Sequence, residues 1–428
     1  MSLRRTGEPS STRLRVGFVA LAAGLQLLTA SCASPSRMLA VPGAQTAEAQ
    51  TAIPNARYFP DRDPEPFAHE VVASYMREMA YLKKIGHTGP LPPMALLTVS
   101  GGGGDGAFGA GLLSGWTESG KRPTFRLVTG VSTGALIAPF AFLGPKYDHV
   151  LKESYTQVSD KDIFKKRNFT AVLFSDAMAD TAPMAHLIDK YITRELLDEI
   201  AVEYERGRLL LIGTTNLDAR EAVYWNMGAI ASSKSPEALA LFRKVTLASA
   251  SIPGAFPPVM IDVSVNGVNY QEMHVDGGAT RQVFMYPQRL HVGDLIKEAH
   301  ITRSRSVYII RNARLDPDWA NVDRRLMSIV GRSVSSLIQT QGMGDLNRMY
   351  MTSTRDGLDY NLAYIPPDFS HPKKSDFDPG YMIPLFERGR QLAAAGYVWH
   401  KYPPGYDPTE ASHTTIASDA AALTAARR

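Results

Sequence analysis

Apolar and polar positions follow two periods along the body of the chain. Short apolar runs at 94–99, 125–129, 208–214, 259–265, 269–275 and 306–310 read as strands. Between them, 107–116, 133–143, 238–247 and 323–339 read as helices, the first with Phe108, Leu112 and Leu113 facing inward. An earlier helix starts at Asp63-Pro64, and Phe67, Val71, Tyr75, Met79 and Leu82 recur in it at helical spacing, a stripe expected to be core. The run at 263–268 has an Asn266-Gly267 step at its centre, the signature of a tight hairpin. Strands separated by helices predict an α/β fold: a largely parallel sheet covered on both faces. No internal repeat is visible.

At 428 residues the chain has room for one large domain or two small ones, and 44% hydrophobic residues suit a sizeable core. Charge narrows the classes of partner. The formal net charge is +4, and acids and bases interleave, so no basic block is dense enough to suggest nucleic-acid binding. The N-terminus is different. Arg4, Arg5, Arg13 and Arg15 precede an apolar run at 16–28, shorter than the roughly 20 residues a membrane span needs. Leu28-Thr29-Ala30-Ser31-Cys32 follows, holding the single cysteine, so the mature body has none with which to form a disulfide. This segment resembles a bacterial lipoprotein signal at 1–31 with Cys32 as the lipidated residue, although Thr29 stands where such signals usually carry Leu. An ordinary secretory signal with a chance cysteine is the alternative. Ala33, not Asp, follows the cysteine. By resemblance to lipoprotein sorting, that implies export to the outer membrane, facing the periplasm. Residues 32–62 are expected to be a tether, flexible over the Ala-, Ser-, Pro-, Gln- and Thr-rich stretch 33–53. A frayed tail is expected at 401–428.

Three segments carry candidate chemistry. Gly130-Val131-Ser132-Thr133-Gly134 is a G-x-S-x-G between a strand and a helix. A nucleophilic serine needs a sharp strand-to-helix turn so that its oxygen projects alone, and the helix N-terminus favours the negative charge that develops. The same five residues also fit an ordinary tight turn. Ser100-Gly101-Gly102-Gly103-Gly104-Asp105-Gly106 follows the first strand, and such glycines expose backbone N–H groups that can hold an anion. Gly104 to Gly109 also fits G-x-G-x-x-G, but a dinucleotide site wants an acid about 20 residues on, at the end of the next strand. That strand ends instead in Thr129-Gly130 and runs into the serine, which favours an oxyanion over a pyrophosphate. The third segment, His274-Val275-Asp276-Gly277-Gly278, ends a strand with a carboxylate and two glycines, by itself no more than a turn.

Taken together and in this order, the three segments resemble the patatin-like phospholipase family. Leu247 to Pro258, with its Ala-Ser-Ala-Ser-Ile-Pro core, and Thr214-Thr215-Asn216-Leu217-Asp218 match two further stretches of that pattern. The resemblance covers 94–310 as a motif core inside a hydrolase domain at 63–400, whose C-terminal part, 320–400, is expected to be helical. It implies a three-layer α/β/α sandwich and a lipid acyl ester substrate. It implies a Ser132–Asp276 dyad without a catalytic histidine, and an oxyanion hole from the N–H groups of Gly102, Gly103 and Thr133. Gly101, Gly104, Gly106, Gly130, Gly134, Gly277 and Gly278 would shape these turns. No metal or organic cofactor is implied. Two departures stand out: Asp105 sits where many members carry Arg or Lys, and Gly277-Gly278-Ala279-Thr280 lacks the usual Asn-x-Pro. Two rival readings remain. One is an α/β-hydrolase triad using His274, His291 or His300. The other is a degenerate scaffold that binds without turnover, favoured only by Asp105.

Overall fold

A computed structural model describes residues 36–167, 175–316 and 319–406. The signal region with Cys32, and the tail beyond 406, lie outside the described residues. Nine strands form one sheet: β1 (Arg57–Tyr58), β2 (Met94–Val99), β3 (Phe125–Val131), β4 (Leu209–Asn216), β5 (Glu221–Asn226), β6 (Val259–Val265), β7 (Val268–Asp276), β8 (Arg305–Arg311) and β9 (Asp359–Tyr364). Nine of its helices matter here: α1 (Glu65–Lys84), α2 (Gly106–Glu118), α3 (Thr133–Leu143), α4 (Asp148–Thr156), α5 (Ala182–Tyr191), α6 (Arg194–Glu205), α7 (Ala238–Ser249), α8 (Leu326–Asp356) and α9 (Pro379–Ala394).

The five strands β4-β3-β2-β8-β9 pair in parallel, each reached by a helical crossover, as the alternating pattern predicts. Side chains alternate between two apolar clusters. Leu97, Val99, Val128 and Ile310 join one, whereas Leu96, Leu127, Val131 and Ile309 join the other, so both faces of the sheet are covered. Antiparallel strands extend one side. β5 lines one edge of β4, and β1 lines β5. On the other edge of β4, β3 pairs as far as Val131↔Gly213, and β7 takes over from Thr214↔Asp276. This handover brings the end of β7 next to the end of β3. β6 and β7 form the expected hairpin: Val265 pairs with Val268, and Asn266 and Gly267 both have positive φ, 50° and 81°.

Three expectations are corrected. The stretch from 36 to 62 is not a loose tether. Val41, Ala49, Ile53 and Ala56 are buried, Arg37 grips Asp218 at 2.8 Å, and Arg57 forms a buried ion pair with Glu272. Helix α1 buries Phe67 and Leu82 as predicted but leaves Met79 exposed. Its inner face is Glu70, Ser74 and Glu78, because Glu70 pairs with Arg77, and Glu78 meets Arg126 and Arg303 at 3.0 and 2.9 Å. Finally, 320–400 is not purely helical: β9 closes the sheet beside β8.

Candidate active site

Ser132 stands at the junction of β3 and α3 with φ 55° and ψ −125°. A left-handed backbone at a non-glycine residue costs of order 1–3 kcal/mol and persists only where the surroundings hold it. Here the flanking glycines allow it. A Cβ at Gly130 would strike the Gly134 carbonyl, and one at Gly134 would strike the Val99 carbonyl, so only glycines let the elbow close against β2. The Ser132 N–H donates to Ser249 Oγ at 3.1 Å, and that hydroxyl donates to the Gly213 carbonyl at 2.6 Å. The serine's backbone is thus tied to α7 and β4.

Asp276 closes β7 immediately beyond the end of β3, and its own N–H donates to the Ser251 carbonyl at 2.8 Å. The alanine-serine segment after α7 therefore positions the acid, and Ser249 and Ser251 are site residues that sequence reasoning saw only as part of a motif. One carboxylate oxygen of Asp276 accepts from the Gly278 N–H at 2.7 Å. Burial pushes this carboxyl up to about 6, while the Ser132 hydroxyl and the Gly278 N–H pull it down. The serine hydroxyl therefore lies close enough to the acid to favour its ionised form. Gly277 lies against the Gly213 carbonyl, which keeps the turn after Asp276 tight.

The glycine loop completes the group. A Cβ at Gly101 would lie 3.1 Å from Ser132 Cβ, so the loop passes directly over the serine. Gly102 is pressed against Asn312, Gly104 against the Asp376 carbonyl, and Gly106 against Thr133, while Gly103 has φ 56°. Among the described residues, the N–H groups of Gly102, Gly103 and Thr133 have no hydrogen-bond partner in the protein. For Thr133 this follows from its place as the first residue of α3.

The loop is held from below by residues that the sequence did not single out. Asn312 Nδ2 donates to the Ser100 carbonyl at 2.9 Å, and Gly109 N–H donates to Asn312 Oδ1 at 3.0 Å. Arg311, 3% exposed, donates to Ser100 Oγ at 3.2 Å and to the Gly101 carbonyl at 3.4 Å. Burial lowers its guanidinium to about 10, against the pull of Asp345 and Asp105. The visible signal was an Arg-Asn pair closing the apolar run of β8. The Asp105 side chain makes no cap hydrogen bond at the start of α2; it pairs with Lys373 at 3.0 Å.

The histidines lie apart from this group. His274 is fully buried, with Nδ1 at 2.9 Å from Thr214 Oγ1 and Nε2 at 3.1 Å from Glu272. Burial lowers its pKa, although Glu272 favours the charged form. His291 is exposed and 3.3 Å from Asp294, and His300 is exposed. Among the described residues no cluster of three or more His, Cys, Asp or Glu is arranged to hold a metal.

No protein of curated function matches the chain in sequence. Among solved structures, the chain is similar to VipD from Legionella pneumophila, at 11% identity and a TM-score of 0.35 over 71% of this chain and 67% of that one. It is also similar to ExoU of the Pseudomonas aeruginosa type III secretion system in complex with SpcU, at 13% identity and a TM-score of 0.29. That second match covers 72% of this chain and 52% of ExoU, so the chain spans about half of that protein's length. The family model of the patatin-like phospholipases matches residues 97–285, the stretch that contains the glycine loop, the Ser132 elbow and Asp276, and the chain therefore carries a patatin-like phospholipase domain.

Proposed function

We propose that the protein is a serine lipid acyl hydrolase of the phospholipase A, lysophospholipase or esterase type, with Ser132 as nucleophile and Asp276 as base. The observation that carries this reading is the pairing of a strained serine elbow with a buried carboxyl raised to about 6. Such a carboxyl is ionised near neutral pH yet basic enough to take a proton. In the reaction the Ser132 oxygen bonds to the ester carbonyl carbon as its proton passes to Asp276. That proton then leaves with the departing alcohol. Water, deprotonated by Asp276, releases the acyl group and restores the serine. The N–H groups of Gly102, Gly103 and Thr133 hold the oxyanion, each donor contributing about 3 kcal/mol in comparable sites.

The engagement of both His274 nitrogens by Thr214 and Glu272 argues against His274 as a triad histidine, and His291 and His300 are exposed. The pairing of Asp105 with Lys373 weakens the one argument for a degenerate scaffold. The N-terminal pattern supports export and anchoring of the protein through a lipidated Cys32, on the outer membrane facing the periplasm. The test is hydrolysis of a p-nitrophenyl acyl ester and of phospholipid vesicles by wild type and Ser132→Ala. Loss of at least about a hundredfold with an unchanged melting temperature is expected. Activity that survives in folded Ser132→Ala overturns the assignment.

A further inference from the structure

Helix α8 has two halves of opposite character. Its C-terminal half is built into the site: Asp345 accepts from the Gln282 N–H at 2.7 Å, the Gln282 carbonyl accepts from the Gly101 N–H at 3.2 Å, and Gly342 packs on Arg311. Its N-terminal half projects. There, Leu326, Ile329, Val330, Val334 and Leu337 recur at i, i+3, i+4, i+8 and i+11, one continuous stripe on a helix. In a helix that covers a core, such a stripe turns inward. Here it turns outward, with Leu326 75% and Leu337 69% exposed. The side that meets the body is polar: Ser328, Arg332 and Gln339 are half-buried, and Gln339 Nε2 donates to the Asp316 carbonyl at 3.2 Å.

Two further observations select the occupant of this stripe. Trp319, just before the helix, is 87% exposed, and an indole ring with one apolar body and one N–H favours the boundary between hydrocarbon and water. From Arg324 to Gly344 the sequence contains no acid, and Arg324 and Arg325 are exposed at the start of the stripe. An apolar stripe bordered by cations fits an anionic surface with an apolar interior. Among the described residues no helix is long and apolar enough to cross a membrane, so the helix would lie in the interface plane.

We propose that Trp319 and the outward stripe of α8 dock on an anionic phospholipid bilayer, with Arg324 and Arg325 at the headgroups. Because the same helix carries Asp345 beneath the glycine loop, docking would seat the Ser132 site at the membrane that holds its substrate. This consequence rests on the hydrolase reading; the docking itself does not.

The test uses the full chain with Ser132→Ala, so that vesicles survive whatever the activity, and with Cys32→Ser, so that an added cysteine is unique. An environment-sensitive dye is placed at Ser333→Cys, within the stripe, or at Ser335→Cys, on the polar side. Vesicles are phosphatidylcholine with about one third phosphatidylglycerol. The dye at 333 is expected to shift to the blue on vesicles and the dye at 335 to stay unchanged. Arg324→Gln with Arg325→Gln should weaken apparent vesicle affinity about 30-fold. No shift at 333, equal shifts at both positions, or a shift that grows with protein concentration without vesicles would each overturn the proposal, the last by showing a second copy on the stripe. If docking fails while wild type still cleaves esters, the hydrolase reading stands and the docking surface falls.

Discussion

Replacing Asp276 by Asn should raise stability at alkaline pH while removing activity, and the size of the gain follows from the site. The carboxyl rises from its ordinary 3.8 to about 6 on burial. A difference of about 2 units, at about 1.4 kcal/mol each, amounts to about 3 kcal/mol. Between about pH 4 and pH 6 the native state binds a proton that the unfolded chain has released, so stability falls as pH rises through this window. Above pH 6 the native protein carries the full cost of a buried ionised carboxylate. In Asp276→Asn the side chain is neutral at every pH, and its amide oxygen can still accept from the Gly278 N–H. The variant should therefore melt higher than wild type at about pH 8, by roughly 5–10 °C, and the difference should shrink toward zero at about pH 4. Scanning calorimetry or dye-monitored melting across pH measures both ends. The same ionisation sets the activity profile: wild-type kcat/KM should rise with pH and reach half its plateau at about 6, because the free enzyme needs Asp276 ionised. A flat profile from about pH 5 to pH 8, or an Asp276→Asn protein that melts lower than wild type at about pH 8, refutes the reasoning.

Further tests address the residues around the dyad. His291→Gln and His300→Gln should each keep ester hydrolysis within about twofold; a dead but folded variant would restore the triad. His274→Gln should instead lower stability by about 2 kcal/mol, since it disturbs the buried Glu272–Arg57 pair, and chemical denaturation reads this directly. Asp105→Asn should change kcat/KM by less than about threefold, because Lys373 already balances that charge; a tenfold rise would show that the acid restrains the site. Radiolabelled palmitate should enter wild type but not Cys32→Ser, and equal labelling of the two sinks the lipoprotein reading.

The parallel core was legible because local pattern and burial agree there. The runs read at 94–99, 125–129 and 306–310 lie within β2, β3 and β8, and each places its apolar side chains on both faces. β5 and β9 were missed, although Tyr224-Trp225 and the alternation of Tyr360 and Leu362 are strand signals. The segment from 36 to 62 was illegible for a different reason. Its order comes from partners 181 and 215 residues away, Arg37 with Asp218 and Arg57 with Glu272, and no local composition records such pairs. The same limit hid the inner face of α1, where Glu78 is buried only because Arg126 and Arg303 meet it. In the site itself, the strand-to-helix turn at Ser132 was legible from its flanking glycines, whereas Asp276 stood out only through the resemblance of the three segments taken together. The cradle beneath the loop was not legible, because Arg311 and Asn312 lie beside Ser100 through the pairing of β8 with β2.

On the hydrolase reading, that cradle would let a loop with an acid in place of the family's usual basic residue still present donors to an anion. Ser100 Oγ and Arg311 both donate to the Gly101 carbonyl, at 2.7 and 3.4 Å, which fixes the direction of that carbonyl. In a trans peptide the following N–H points the opposite way, so the Gly102 N–H faces away from Arg311. Gly102 then adopts φ 159°, and a side chain there would run into Asn312, so the loop turns where only glycine fits the space. Arg311 remains charged at neutral pH even with its pKa lowered to about 10. A fixed positive charge behind the loop strengthens any donor array aimed at a developing anion, and burial keeps water from screening it. The cation thus comes from the end of β8 rather than from the loop, and Asp105 is left free to pair outward with Lys373.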